Sequence, residues 1–455
     1  MSINMKFTRL IISISFLLSS TSYAQEKDSI ANAIYDAIDT NPEVQATWHT
    51  FYAAKHSLRV AKSGNKPTVD LVANSQYKDR NYGSDTEFSS NDVEMVLTQS
   101  LYNGSRVKHE VNRFRQVQMV RYFEFTNSVE NAARETALAY LDVQQYQALV
   151  KLAQDNLNTH EQVFSQIEES VSAGVARAAD LEQINGRLAL SESNVITDVN
   201  NLYDVSARFQ RIVGREPKES LQKIPMQYIE LDNELSKVLE LTYRTSPSFF
   251  AAMHNIEAEK LGVKTQRANY KPQVDFIARY GSQSRDQFGL NNTITEGSVG
   301  LQFRYNLYRG GQDKASIKQA REQVNVAKDL RDKTCRDVRQ NIQIAFNEYT
   351  TSNRLLPVLN QHKLSSSRVK TAYKDQFDIG QRTLLDVLDA ENEYFESSRA
   401  YIDAQYRQTQ ALINVLAEIG ILVKSLNISL NNLPDITKLD TADIQSDIKY
   451  SCPKN

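Results

Sequence analysis

The sequence has few of the residues that interrupt helices or cross-link a chain. Its 455 residues include 2 cysteines, 9 prolines and 15 glycines. Because proline and glycine both disfavour helix interiors, their scarcity favours long, uninterrupted helices. Two cysteines cannot form the disulfide framework of a small secreted domain. Cys335 lies within a helical pattern and Cys452 lies in the tail, so we expect two unpaired thiols, with a bond between them as the alternative.

Strong net charge and long apolar segments are also absent. The formal net charge of −2 gives no reason to expect a nucleic-acid partner. The mean hydropathy of −0.50 fits a mostly aqueous body with a small membrane part. A membrane-spanning helix needs about 20 apolar residues, and no stretch of the sequence approaches that length. If the protein lies in a membrane, it must do so through strands that close into a barrel.

The first residues have the pattern of a secretory signal. Lys6 and Arg9 precede a short apolar stretch at residues 10–18. Ser22 and Ala24 then supply the small residues that a signal cleavage site needs. This order predicts a cleaved signal peptide over residues 1–24, whereas an uncleaved anchor would need a longer apolar run. No cysteine occupies the cleavage site, so we expect no lipid anchor of the bacterial lipoprotein kind.

The rest of the chain contains one pattern twice, at an offset of 205 to 206 residues. The matching positions are Pro42 and Pro247, Pro67 and Pro272, Gly104 and Gly310, Gly174 and Gly380, and Asp180 and Asp386. Matches in one order at nearly one offset indicate a tandem duplication. We predict repeat 1 at residues 25–213, a joint at 214–235, repeat 2 at 236–423 and a tail at 424–455.

Each repeat contains two segments in which apolar and polar residues alternate. We predict strands at about residues 67–80 and 91–102 in repeat 1 and at about 272–285 and 295–308 in repeat 2, with polar loops at 81–90 and 286–295. A period of two over about ten residues suits a tilted strand that crosses a membrane.

A soluble sandwich is the alternative to a barrel for these strands. Their polar face, however, carries charged residues such as Asp70, Glu94 and Arg279. A small barrel needs about eight strands, so four strands cannot close one. We therefore expect several chains to contribute strands to one barrel, with apolar side chains towards lipid and charged ones towards a watery lumen.

Helical patterns fill the remainder of each repeat. A helix over residues 29–63 precedes the strands of repeat 1, and one over 236–269 precedes those of repeat 2. Long helical hairpins follow at about 105–213 and 313–421. Their longer helices should reach on the order of 100 Å. Narrow apolar stripes favour coiled-coil-like packing, either around a hollow cylinder or in a solvated stalk without a pore.

Two short motifs stand out near the second pair of long helices. Residues 380–390 read GQRTLLDVLDA, and residues 307–311 read LYRGG. The first resembles the pattern G-x-R-T-x-x-D-V-L-D-A of the TolC family of outer-membrane secretion and efflux channels, and the second is similar to that family's strand-to-helix turn. The resemblance covers essentially the whole mature chain. It implies an α+β membrane protein in which each chain gives four β-strands to a homotrimeric 12-stranded barrel, continued by a long periplasmic α-helical tunnel.

The resemblance also implies location and partners. It places the chain in the outer membrane of a Gram-negative cell, extending into the periplasm. The implied partners are a periplasmic adaptor (membrane fusion protein) and an inner-membrane ABC transporter or efflux pump. The missing lipid anchor favours type I secretion of polypeptides, with proton-driven multidrug efflux as the alternative.

Site residues follow from the resemblance alone. It implies a periplasmic gate at Asp386 and Asp389, where carboxylates from several copies should raise one another's pKa. It implies a tip latch and adaptor-docking tips. The latch residues are Asp180, Arg382 and Phe377, and the docking tips are Gly174 and Gly380. Many family members have a tyrosine in place of Phe377, which suggests a weaker latch here.

Simpler roles remain open for these residues. Thr383 and Asp386 have the spacing of a capping box, which stabilises a helix start whether or not a gate exists. The 6 histidines are not grouped as metal ligands, and the sequence has no phosphate-binding loop or nucleophile elbow. We therefore expect no metal, no cofactor and no enzymatic activity.

Overall fold

The computed structural model describes residues 28–81, 85–224, 231–232, 234–287, 290–428, 439 and 452. The predicted signal peptide at residues 1–24 lies outside this part of the chain, as does most of the predicted tail. Among the described helices, none is both long enough and apolar enough to cross a membrane.

Both halves of the chain contain the same order of elements, as expected for a duplicated unit. The first half contains α1 (Ile30–Thr40), α2 (Pro42–Ser63), β1 (Thr68–Asn81), β2 (Asp85–Tyr102), α3 (Arg106–Ser172) and α4 (Ala178–Val213). The second half contains α5 (Leu235–Thr245), α6 (Pro247–Arg267), β3 (Gln273–Gln287), β4 (Leu290–Arg304), α7 (Gln312–Asp378) and α8 (Leu384–Ile419), followed by the short α9 (Leu422–Ser425).

The helix before each strand pair is two helices, so the prediction of one continuous helix was wrong. Asn41 adopts an extended backbone, and its side chain accepts a hydrogen bond of 2.8 Å from the Glu43 N–H. Pro42 then occupies the first turn of α2, where a missing N–H costs nothing. Ser246 and Pro247 repeat this start in the second half. Each proline therefore begins a new helix.

The four strands form one antiparallel sheet in the order β1-β2-β3-β4. The strands extend through most of the two polar segments that were predicted to be loops: β2 begins at Asp85 and β4 at Leu290. Polar side chains pair across the ladder there, as in the 2.7 Å hydrogen bond from Ser284 Oγ to Asn291 Oδ1. At the other end, β4 stops at Arg304 and does not reach the predicted residue 308.

The two faces of the sheet differ as the alternation predicted. Leu71, Leu301 and Phe303 point from the apolar face and are 67 to 70% exposed. The opposite face carries charges, and Arg279 Nη1 lies 3.6 Å from Glu94 Oε1 on neighbouring strands. Exposed apolar side chains of this size on one continuous face indicate contact with lipid or with other chains.

The long helices lie in one connected layer. α3 and α7 contain 67 residues each, which corresponds to about 100 Å. α3 contacts both α4 and α8, and α8 contacts α7. The largest hydrophobic cluster is built on α3, where fully buried Tyr140 packs with Phe209 and Ile413. Helices of both repeats therefore share one core.

Hydrogen bonds and ion pairs connect the start of the described chain to the joint between the repeats. The Tyr140 hydroxyl donates hydrogen bonds of 2.6 and 2.8 Å to the carbonyls of Asp28 and Gln222. Arg215 contacts the carboxylates of Asp28 and Asp36, each at 2.7 Å. Because Asp28 is 1% exposed, the guanidinium supplies the countercharge that a buried carboxylate needs.

The expectation of two unpaired thiols was wrong, because Cys335 and Cys452 form a disulfide. Cys335 is buried in α7, and its Cα atom lies 5.8 Å from that of Cys452. The Tyr243 hydroxyl of α5 donates to the Cys335 carbonyl at 3.2 Å. The bond therefore attaches the tail at the place where α5 meets α7.

Candidate functional site

The candidate site lies at the ends of the helical hairpins that are farthest from the sheet. β2 and β4 lead into the first turns of α3 and α7, so the opposite ends of these helices lie farthest from the strands. Gly174 and Gly380 lie in the turns there, with φ angles of 75° and 76°. Both glycines therefore adopt the left-handed conformation, which glycine adopts without steric cost. No described atom lies within 4 Å of a Cβ built on either glycine, so backbone conformation is the constraint there.

α8 begins with the predicted capping box. The Asp386 N–H donates to Thr383 Oγ1 at 3.3 Å, and the Asp386 carboxylate accepts from the Thr383 N–H at 3.3 Å. The Thr383 hydroxyl also donates to Asp386 Oδ2 at 2.8 Å. In the first repeat, the Asp180 carboxylate accepts from the Arg177 N–H at 3.4 Å in the same manner. Both acids therefore stabilise helix starts, whatever further role they have.

The second predicted gate acid, Asp389, is paired across the two repeats. Arg187 of α4 donates from Nη2 to Asp389 Oδ1 at 2.8 Å. The carboxylate side chain is 58% exposed and the guanidinium 29%. Because solvent screens a pair this exposed, the pair contributes about 1 kcal/mol or less to folding stability. This pair therefore connects the two repeats near the tip of the hairpins.

Arg382 and Asp180 are not brought together in the described structure. Arg382 Nε donates to Gln376 Oε1 at 2.8 Å, and its guanidinium carbon lies 4.1 Å from the centre of the Tyr373 ring. Its Nη1 lies 3.9 Å from Asp386 Oδ2. These neighbours all belong to the α7–α8 hairpin. In this conformation Arg382 therefore stiffens its own turn.

Phe377, the third predicted latch residue, packs against a small core at the tip. The buried residues of this cluster include Ile167 of α3, Ile184 of α4 and Leu388 of α8. Because these three helices come from both repeats, the aromatic ring helps hold the two hairpins side by side. An apolar ring serves this packing without the hydroxyl that many family members carry.

In the single chain, the surroundings of Asp386 favour the ionised form of its carboxylate. Its hydrogen bonds from the hydroxyl and the N–H of Thr383, and then the nearby Arg382 guanidinium, hold the pKa of Asp386 below its usual value. We expected a raised pKa for an assembled ring of gate acids, and that expectation concerns several chains. The raised pKa in the assembled ring stays a prediction. The hydrogen bonds from Thr383 act against it, because they lower the pKa of Asp386.

Sequence reasoning missed the strongest polar contact between α4 and α8. Arg399 donates two hydrogen bonds, of 2.8 and 2.7 Å, to the carboxylate of Asp198, which is fully buried. Lys370 of α7 similarly pairs at 3.0 Å with Glu391, which is 3% exposed. The only sequence signal was opposite charge on two helices, which does not specify which residues face each other.

A four-stranded sheet joined to two pairs of helices, each with one member about 100 Å long, defines a class of protein: the subunit of an outer-membrane channel. The family model described as "Outer membrane efflux protein" matches residues 33–215 and 238–420, one copy for each repeat. The chain belongs to this family and is an outer-membrane protein.

Known relatives agree with the family assignment. The chain is 21% identical over 438 residues to outer membrane protein TolC of Escherichia coli (strain K12), covering 93% of this chain and 88% of TolC. It is 24% identical over 260 residues to the proteases secretion protein PrtF of Dickeya chrysanthemi, covering 55% of this chain and 56% of PrtF. Among solved structures, the outer membrane channel CmeC of Campylobacter jejuni superposes with a TM-score of 0.74 at 13% identity, covering 92% and 94% of the two chains.

Proposed function

We propose that three copies of this chain assemble into the outer-membrane exit duct of a tripartite export system. The open four-stranded sheet is the observation that supports this most directly. Among the described strands, β1 and β4 each pair on one side only, and unpaired strand edges inside a membrane are too costly to persist. Three copies supply twelve strands, enough to close a barrel around a lumen.

The helical layer has apolar surface that suits the same assembly. Ile196 and Tyr203 on α4 are 70 and 73% exposed, and Ile344 and Val358 on α7 are 59 and 63% exposed. α4 and α7 belong to different repeats, so α4 of one copy can pack against α7 of the next. Closing this contact around an axis gives a hollow tunnel about 100 Å long, continuous with the barrel.

The tips of the hairpins then form the periplasmic gate and the adaptor-docking surface. Asp386 and Asp389 of three copies would supply the negative charge at the opening, offset in part by Arg187 at 2.8 Å from Asp389 and by Arg382 at 3.9 Å from Asp386. The turns at Gly174 and Gly380 present the helix ends to an adaptor. The duct performs no chemistry of its own. Opening would instead depend on separating side chains that hold the tips together.

We propose polypeptides as the cargo and an ABC-type transporter as the energy source. No cysteine lies at the predicted signal cleavage site, which is the position of a lipid anchor in many drug-efflux channels. The named role of the relative PrtF in protease secretion is consistent with this choice. The assignment is tested by deleting the gene in its own host. Loss of specific proteins from the culture medium is expected; increased drug sensitivity with an unchanged set of secreted proteins would support multidrug efflux and refute the choice.

Docking at the tip is tested with Gly380→Val expressed in the deletion strain. A β-branched residue is strained at a φ of 76°, so export should be lost while trimers still form in the membrane. Gly186→Val is the matched control, since Gly186 lies within α4, has an ordinary φ and also has open space around its Cβ. Loss of trimers in the Gly380 variant would assign this position to folding and not to docking.

The gate is tested by trivalent-cation block of purified trimers in planar bilayers. Replacing Asp386 and Asp389 together by alanine should weaken block and cation preference, because a ring of carboxylates attracts multivalent cations. Asp375→Ala removes an exposed acid from the neighbouring α7 and should leave block unchanged. If the double variant is blocked as tightly as the wild type, the two acids only stabilise helix α8 and the gate lies elsewhere.

A further inference from the structure

The end of the sheet farthest from the helices has a distinct charge pattern on its polar face. Glu94 and Arg279 define this face, since they are paired on neighbouring strands. Alternate residues of a strand share a face, so Ser90 of β2 and Arg285 of β3 lie on it. Ser90 and Arg285 are register partners. On β1, Lys78 is the register partner of Phe88, so it lies on the same face.

The side chains at this end are ordered by mutual contacts. The Arg285 guanidinium carbon lies 5.0 Å from the centre of the Phe88 ring. Phe88 is 3% exposed and Ser90 is 2% exposed, although both lie on strands. Gln283 Nε2 donates to Ser90 Oγ at 3.1 Å. A guanidinium over an aromatic face is held in place while it keeps its charge.

At this end of the sheet, basic and acidic residues lie on opposite faces. In the two registers that contain Ser90 and Phe88, the charged side chains described on the polar face are both basic, Lys78 and Arg285. The nearby acids Asp79, Glu87 and Asp286 belong to the alternate positions and point from the other face. Further towards the helices, the polar face becomes acidic at Asp92, Glu94 and Glu296.

We propose that Lys78 and Arg285 form a basic collar at the outer mouth of the lumen, which favours anions at the exit and disfavours entry of cations. The inference rests on the proposed function, because the polar face lines a lumen only when several copies close a barrel. Rings of Arg and Lys side chains select anions in other pores. The collar and the gate acids would then give the two ends of the duct opposite charge.

The collar is tested by the reversal potential of purified full-length channels in planar bilayers under a KCl gradient. Arg285→Gln removes one positive charge per chain from the lumen. Ser284→Glu changes the net charge equally but on the opposite face of the same strand, so it is the matched control. Arg285→Lys keeps the charge and loses the planar contact with Phe88, and it should retain the wild-type selectivity.

Arg285→Gln should raise the permeability of K⁺ relative to Cl⁻ by about twofold or more at 0.1 M salt, and less at 1 M, where the screening length falls to about 3 Å. Ser284→Glu should leave the ratio unchanged. Equal effects of the two changes, or normal conductance with no change in selectivity in Arg285→Gln, would overturn the collar while leaving the duct intact. A wild-type chain that never conducts would overturn the proposed function, and the collar with it.

Discussion

Glu130 of α3 should make the stability of the protein depend on pH. The side chain is 8% exposed, and Oε2 accepts a hydrogen bond of 3.4 Å from the Val423 N–H at the start of α9. Burial raises the pKa of Glu130 to about 7, although hydrogen bonds from the backbone of Val423 and Leu422 act in the opposite direction. Replacing Glu130 by glutamine removes the charge and keeps an oxygen that can accept one of these bonds.

The magnitude follows from the difference between the folded and unfolded pKa values. An ordinary glutamate has a pKa of 4.5, against about 7 in the folded chain. At about 1.4 kcal/mol per pKa unit, burying the carboxylate costs roughly 3 kcal/mol per chain at alkaline pH. The protonated acid avoids this cost. Stability from this group is therefore fully present below pH 4.5 and is lost as the pH rises through 7.

Thermal unfolding of Glu130→Gln in detergent tests this sign. The variant should melt at a higher temperature than the wild type at pH 8, and the difference should be much smaller at pH 5 and nearly vanish at about pH 4, below the ordinary glutamate pKa of 4.5. Hydrogen exchange of residues 421–428 should slow in the variant at pH 8, since Leu422 and Val423 of this segment donate backbone hydrogen bonds to the buried carboxylate. Glu135→Gln, at an exposed position on the same helix, should change neither result. A Glu130 variant that melts lower at pH 8 would show that the hydrogen bonds to α9 outweigh the cost of burial.

Three further substitutions test separate parts of the structure. Phe303→Arg should reduce outer-membrane assembly, at about 2–4 kcal/mol near the bilayer midplane, whereas Gln302→Arg on the other face should assemble normally. Arg399→Met should lower the melting temperature strongly, because it leaves Asp198 buried and unpaired at a cost of about 3–5 kcal/mol; an unchanged melt would contradict this. Cys452→Ser should cost about 2–5 kcal/mol, and wild type in reductant should melt like the variant.

The duplicated architecture could be predicted because its signals are local and occur twice. Period-two alternation placed four strands, and the glycines before and between the long helices placed the hairpins. The breaks at Asn41 and Ser246 were missed, although proline disfavours helix interiors. In both places proline follows a residue with an extended backbone and begins the next helix.

The ends of the strands were misplaced for a different reason. Polar residues such as Asp85 and Ser90 have the composition of a loop. Antiparallel pairing, however, depends on backbone hydrogen bonds, and both residues continue the ladder with β1. Side-chain polarity therefore marks where the sheet leaves an apolar environment, and it does not mark where the strand ends.

Contacts between the repeats could not be obtained from the sequence. The pairs Arg187–Asp389 and Asp198–Arg399 join residues that are 202 and 201 positions apart. Their meeting depends on the relative height and rotation of α4 and α8, which hydrophobic periodicity does not determine. The same holds for Cys335 and Cys452, where a residue within α7 bonds to one 117 positions later in the sequence.

The central claim is that assembled copies of this chain enclose a pore. Single-channel recording of the purified wild-type protein in planar lipid tests it most directly. We predict discrete, uniform current steps from each inserted assembly, since twelve strands surround a lumen lined by the polar face of the sheet. Protein that inserts as stable trimers but never produces such steps would contradict the duct and would favour a coiled-coil stalk without a pore.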